Sequence, residues 1–86
     1  MESKHIIHSK YNNGQICYEY WTNDMGQLHN ENGPARIDYY ENGQIDSQVW
    51  CINGKLHNEN GPAYIEYYEN GKIKYQAWYI NNKLLS

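Results

Sequence analysis

The chain has 86 residues, which allows one domain over residues 1–86 with a thin core. Its apolar share is 40%, carried in part by 10 Tyr and 3 Trp with no Phe, so the aromatic rings can bury a face and keep a polar tip in water. The formal net charge of −3 speaks against broad attraction to nucleic acid or to an anionic membrane, and no apolar run approaches the roughly 20 residues of a membrane-spanning helix.

Lys4–Lys10 reads as a first strand, or a degenerate half-repeat. Tyr11-Asn12-Asn13-Gly14 is a turn, and Gln15–Trp21 is a β-rich run holding Ile16, Tyr18, Tyr20 and Trp21. Thr22–Gly26 reads as a polar loop. Together these form a degenerate first unit, 4–27. From Leu28 the chain repeats itself. Leu28-His29-Asn30-Glu31-Asn32-Gly33-Pro34-Ala35 returns unchanged at Leu56–Ala63, an offset of 28 residues. Tyr39-Tyr40-Glu41-Asn42-Gly43 returns at Tyr67–Gly71, and Trp50 returns as Trp78. The full repeats are 28–55 and 56–86.

Glu-Asn-Gly between two β-runs suits a three-residue hairpin loop with a left-handed glycine. Closing it pairs Tyr40 with Gln44, Tyr39 with Ile45, Asp38 with Asp46, Ile37 with Ser47 and Arg36 with Gln48. Side chains alternate between faces. One face then carries Ala35, Ile37, Tyr39, Ile45, Ser47 and Val49; the other carries Arg36, Asp38, Tyr40, Gln44, Asp46 and Gln48. The second repeat gives Ala63, Ile65, Tyr67, Ile73, Tyr75 and Ala77 on the apolar face. Tyr64, Glu66, Tyr68, Lys72, Lys74 and Gln76 lie opposite, with Glu66 across from Lys74. Asp38 across from Asp46 is like-charged, and Arg36 stands diagonally to offset it.

Ile52-Asn53-Gly54-Lys55 is a second hairpin signal that aligns Cys51 with Leu56. Ile80-Asn81-Asn82-Lys83 repeats it with Asn in place of Gly, which predicts a looser turn. In the linker, Gly61 allows a turn and Pro62 suits a strand start. The register sets Pro34 against Trp50 and Pro62 against Trp78. Cys17 and Cys51 occupy different repeat positions and read as small buried hydrophobes rather than a disulfide. No segment has helical periodicity. The expected fold is all-β: an antiparallel meander of stacked β-hairpin repeats in a single elongated twisted sheet.

Tyr-Tyr-Glu-Asn-Gly followed by Trp-x-Ile-Asn-Gly-Lys resembles the MORN repeat in its variant bacterial and viral form. Leu-His-Asn-Glu-Asn-Gly-Pro-Ala looks like the linker of a longer MORN-like repeat of bacterial and phage proteins. The resemblance runs from Tyr11 to the end. It implies an elongated twisted sheet used as a binding or scaffolding surface, and one bacterial group is of antitoxin or immunity type. The 28-residue repeat and the scarcity of basic residues depart from the lipid-binding pattern, which speaks against a membrane role.

His29 and His57 recur with Glu31 and Glu59, a His-x-Glu pair open to a metal or acid–base reading. Two ligands per loop are too few for a metal, and a His there can bond the turn backbone. His5 and His8 lie in the first strand, with His8 in the place of Ile37 and Ile65. Ser9, Ser47 and Ser86 sit in no nucleophile motif, and neither Cys has a His at a useful spacing. No enzyme, cofactor or metal is expected.

The informative positions lie on the polar face and differ between repeats: Arg36 against Tyr64, Asp46 against Lys74, Gln44 against Lys72. With Tyr40 and Tyr68 they give the candidate partner-binding set Arg36, Tyr40, Asp46, Tyr64, Tyr68, Lys72 and Lys74. A single sheet also needs cover for its apolar face, which favours a homodimer or an obligate protein partner. The expected function is an inhibitor or immunity protein, encoded by a phage or mobile element, that sterically blocks a larger bacterial protein. The rival is a scaffolding module. With no secretory leader visible at Met1, the expected location is the cytoplasm of a bacterial host.

Overall fold

Three tyrosine-initiated turns set the frame. A computed structural model of the chain describes residues 4–86. The N–H groups of Tyr11, Tyr40 and Tyr68 donate to the carbonyls of Gln15, Gln44 and Lys72, and the N–H of each turn glycine returns to the tyrosine carbonyl. Gly14, Gly43 and Gly71 have φ of 88°, 91° and 91°, a conformation that penalises any β-carbon. The Asn before each glycine accepts an N–H two residues on through its Oδ1, which closes the turn locally.

The strands are β1 (Lys4–Lys10), β2 (Ile16–Thr22), β3 (Arg36–Tyr39), β4 (Ile45–Val49), β5 (Cys51–Ile52), β6 (Lys55–Leu56), β7 (Tyr64–Tyr67), β8 (Ile73–Ala77), β9 (Tyr79–Ile80) and β10 (Lys83–Leu84). Six of them form one sheet in the order β1-β2-β3-β4-β7-β8, each antiparallel to its neighbour. The expected all-β meander of hairpins is present, with no helix among the described residues.

The short hairpins β5–β6 and β9–β10 stand outside the main sheet and make a second column. Asn30 N–H donates to Cys51 O, Gly54 N–H to Leu28 O, Asn58 N–H to Tyr79 O and Asn82 N–H to Leu56 O. The tryptophans lie where the columns meet: Trp21 N–H bonds Ala35 O, and Trp50 N–H bonds Ala63 O. The result is a slab of 36 × 30 × 15 Å. Both turn Asn residues of the last hairpin, Asn81 (φ 48°) and Asn82 (φ 69°), take the left-handed geometry that Asn53 and Gly54 supply in the one before.

The register departs from expectation by one residue. Tyr39 pairs with Ile45 as expected, but Asp38 then pairs with Ser47, Ile37 with Gln48 and Arg36 with Val49. The second repeat does the same, with Tyr67 on Ile73, then Glu66 on Tyr75, Ile65 on Gln76 and Tyr64 on Ala77. Asp46 and Lys74 are the extra residues of two β-bulges, so Asp46 is not across from Asp38, nor Lys74 from Glu66. Past each bulge the strand shows its other side. Ser47, Val49, Tyr75 and Ala77 therefore share a face with Arg36 and Tyr64, whereas Gln48 and Gln76 join the isoleucines. The slip also sets Ala35, not Pro34, opposite Trp50, and Ala63, not Pro62, opposite Trp78. Without a bulge in the first unit, Ile7 rather than His8 holds the place of Ile37 and Ile65: Ile7, Glu19, Ile37, Gln48, Ile65 and Gln76 run in one row across the sheet.

The core is thin and built from small side chains. Ala35, Cys51, Ala63, Ile65 and Ala77 are its buried apolar residues. Thr22 and Asn23, expected in a polar loop, are buried too. Asn23 is satisfied there: its amide donates to Gln27 and Asn53, and its Oδ1 accepts the N–H groups of Met25 and Gln27. Ile73 and Tyr75, expected on a buried face, are 51% and 52% exposed. They lie on β8, an edge strand of the six-stranded sheet that pairs with β7 alone. Both cysteines are free thiols.

Candidate functional site

Two rows of side chains from neighbouring strands make the face that carries the candidate residues. Tyr20, Arg36, Val49, Tyr64 and Ala77 lie in one row. Tyr18, Asp38, Ser47, Glu66 and Tyr75 lie in the next. Arg36 forms a fork with Asp38, Nε to Oδ2 at 3.1 Å and Nη2 to Oδ1 at 3.0 Å, and its guanidinium sits 4.4 Å from the Tyr18 ring centroid. The hydrogen bond to Asp38 is the main cause that raises the Arg36 pKa. Ser47 adds its hydroxyl to Asp38 Oδ2 at 3.2 Å.

The same places in the next repeat carry different chemistry. Tyr64 replaces Arg36, Glu66 replaces Asp38, and the Tyr64 hydroxyl donates to the Glu66 carboxylate. Partial burial, then that carboxylate, pushes Tyr64 up to about 12. Its ring packs edge-on to Tyr75 with centroids 6.0 Å apart.

The other candidates are dispersed. Asp46 is half-buried in its bulge, and burial together with Asp38 and Glu66 raises its carboxyl pKa, with Lys74 opposing. Tyr40 is a staple rather than an open contact: its hydroxyl donates to Tyr67 O at 2.7 Å. Burial raises its pKa, helped by Asp46, Glu69 and Glu66. Tyr68 is 51% exposed, with Lys74 Nζ 5.9 Å from its ring centroid. Lys72 is exposed just past the Tyr68–Gly71 turn. The structure thus sets Arg36, Asp46 and Tyr64 near the middle of the face, and Tyr68, Lys72 and Lys74 at its C-terminal edge.

Sequence reading missed Tyr18, Tyr20, Asp38, Glu66 and Tyr75 as members of this site. The charge of Asp38 and Glu66 was visible, and the tyrosines were visible as aromatics. The pairing of β2 with β3 brings in Tyr18 and Tyr20, and the bulge at Lys74 brings Tyr75 to this face.

A second feature lies between the two linker loops. An open cleft of about 220 Å³ is lined by residues that include Glu31, Trp50, His57 and Glu59. His57 Nδ1 accepts the N–H of Asn81 at 3.2 Å, and His29 Nδ1 accepts that of Asn53 at 2.9 Å. Their Nε2 atoms stand 3.5 Å (His29–Glu31) and 3.4 Å (His57–Glu59) from a carboxylate. Each ring is committed to holding its neighbouring hairpin turn. No cluster of three or more His, Cys, Asp or Glu with metal-binding geometry occurs among the described residues. Cys51 is buried, and burial alone pushes its thiol pKa up, away from nucleophilic use.

Comparison of the chain with family models, with curated proteins and with solved structures yields no match.

Proposed function

We propose that this protein is a non-enzymatic protein-binding module. It acts as an inhibitor or immunity protein, of the anti-defence or antitoxin kind borne by phages and mobile elements. It does so by lying across the working surface of a larger bacterial protein in the cytoplasm. The observation that carries this reading is the pair Arg36–Asp38 and Tyr64–Glu66. Equivalent positions hold the same backbone geometry and different side-chain chemistry, on a face set with Tyr18, Tyr20 and Tyr75. A scaffold needs no such variation. Tyr and Arg, moreover, are the side chains that most often dominate binding energy at protein interfaces. The resemblance to MORN-like repeats supports a binding surface in the same way.

The test is stoichiometric capture from a bacterial host lysate with the tagged full chain, beside an Arg36→Glu variant shown by circular dichroism to be folded. An inhibitor retains one host protein at a fixed ratio and loses it on Arg36→Glu. Recovery of lipid, of many proteins or of the chain itself would favour a scaffold instead.

A further inference from the structure

The dipeptide Asn-Gly begins at Asn13, Asn32, Asn42, Asn53, Asn60 and Asn70. All of these asparagines are exposed, so access to water does not rank them. Hydrogen bonding does. In the hairpin turns both halves of the dipeptide are held. The N–H groups of Gly14, Gly43 and Gly71 donate to Tyr11 O, Tyr40 O and Tyr68 O at 2.8, 3.0 and 2.9 Å, and that of Gly54 donates to Leu28 O at 2.8 Å. Oδ1 of Asn13, Asn42 and Asn70 accepts an N–H two residues on, and Oδ1 of Asn53 accepts Asn23 Nδ2 at 3.0 Å. Asn32-Gly33 and Asn60-Gly61, in the linker loops, differ. Among the described residues neither glycine N–H and neither carboxamide has a hydrogen-bond partner. The loops themselves are fixed. Asn30 Oδ1 accepts the Asn32 N–H at 3.0 Å while its Nδ2 donates to Pro34 O at 3.0 Å. Asn58 does the same for Asn60 and Pro62, at 3.0 and 2.9 Å. Each clamp holds the ends of its loop and leaves the Asn-Gly pair between them unbonded.

We propose that Asn32 and Asn60 are sites of spontaneous deamidation, and that the fold confines the reaction to them. The glycine amide nitrogen gives up its proton to hydroxide and attacks the asparagine Cγ. The N–Cγ bond forms, the Cγ–Nδ2 bond breaks and ammonia leaves. Water then opens the succinimide at either carbonyl and yields aspartate or isoaspartate, so water is the only reagent consumed. Glycine favours the attack because it has no β-carbon to obstruct it. In the hairpin turns the same attack must first break the glycine N–H bond and the bond to the carboxamide, which keeps those pairs closed except during local opening. Neighbouring sequence does not separate the two groups in the same way. Glu precedes Asn-Gly in both linkers, at Glu31 and Glu59, and also in the turns at Glu41 and Glu69. The product changes the cleft between the linker loops. Asn60 lines it with Glu31, His57 and Glu59 and with no Lys or Arg, so conversion places a third carboxylate there. The isoaspartate form also adds a carbon to the main chain inside the Asn58 clamp. This chemistry is independent of the partner-binding face.

The experiment incubates the full chain in mildly alkaline buffer and follows every Asn-Gly by peptide mass mapping, with fragmentation that separates aspartate from isoaspartate. Asn32 and Asn60 should convert about ten-fold faster than Asn13, Asn42, Asn53 and Asn70, whose native hydrogen bonds must open first. In denaturing urea the rates should converge. Gly33→Ala and Gly61→Ala are the control variants. A β-carbon at these positions meets nothing closer than 3.8 Å and 3.7 Å, and neither residue has the positive φ of the turn glycines, so the fold is kept while the methyl group obstructs ring closure. Each should slow its own site by about ten-fold and leave the other unchanged. The proposal is overturned if a turn asparagine of the native chain converts as fast as the linker pair, or if the linker pair keeps its amides while the turns convert. It is overturned equally if the native ranking persists in urea, which would place its cause in the neighbouring sequence rather than in the fold.

Discussion

His29 Nδ1 accepts the backbone N–H of Asn53 at 2.9 Å, and Asn53 holds a φ of 49° at the head of a two-residue hairpin turn. His57 and Asn81 repeat the arrangement at 3.2 Å with a φ of 48°. A ring nitrogen that accepts a hydrogen bond carries no proton, so each proton sits on Nε2, toward Glu31 or Glu59. This relationship gives the first prediction. Nitrogen-15 spectra at neutral pH should show the Nε2–H tautomer at both residues, unchanged by added zinc. Removing the acceptor in His29→Ala should cost about 1 kcal/mol in denaturant unfolding, the scale of one hydrogen bond.

The bulge residue Asp46 predicts a pH dependence. Its carboxyl is raised above its ordinary value by burial, with Asp38 and Glu66 adding to it. A folded-state pKa above the unfolded one makes protonation favour the fold. That contribution is full below the unfolded value and is lost as pH rises through the folded one. At pH 7 the ionised carboxylate is therefore unfavourable. Asp46→Asn should stabilise the protein at pH 7. The gain should vanish near pH 3, and thermal melts at the two pH values measure it.

The tyrosine ladder predicts a contrast between two conservative changes. Tyr40→Phe removes the hydrogen bond to Tyr67 O and should cost about 1 kcal/mol, or roughly 4–8 °C in Tm for a domain of this size. Tyr68→Phe removes a hydroxyl that bonds nothing among the described residues, so its Tm should match wild type. Equal losses would mean that the ladder does not hold the units together.

The two thiols should differ in native reactivity. Cys51 is 4% exposed and its thiol pKa is raised by burial, whereas Cys17 is partly accessible. An aromatic disulfide reagent should modify Cys17 first and Cys51 only as the chain opens, with the second rate rising in denaturant. Simultaneous modification would contradict the placement of Cys51.

The turns were legible because Asn-Gly after tyrosine has few backbone solutions, and Tyr40–Gln44 and Tyr39–Ile45 are paired as the sequence requires. The bulges were hidden. Ser47, Gln48 and Val49 have no strong preference between faces, so an alternating pattern reads nearly as clean one residue out of step. Ile73 occupies in the second repeat the place of Ile45 in the first. The two differ because β4 lies between β3 and β7 whereas β8 pairs with β7 alone, a matter of position in the sheet rather than of residue type. The candidate face was half legible. Arg36, Asp46 and Tyr64 could be picked out as places where the repeats differ, with Asp38 and Glu66 beside them by strand alternation, but Tyr18 and Tyr20 join through the β2–β3 pairing and Tyr75 through a bulge.

The hydroxyls of Tyr11 and Tyr40 and the amides of Asn13 and Asn42 all point from an earlier unit to carbonyls of a later one. A ribosome delivers the chain in that same direction. Each unit thus leaves the exit tunnel with those donors waiting, and the following 28 residues complete it. An in-frame duplication of one unit would leave every existing junction intact.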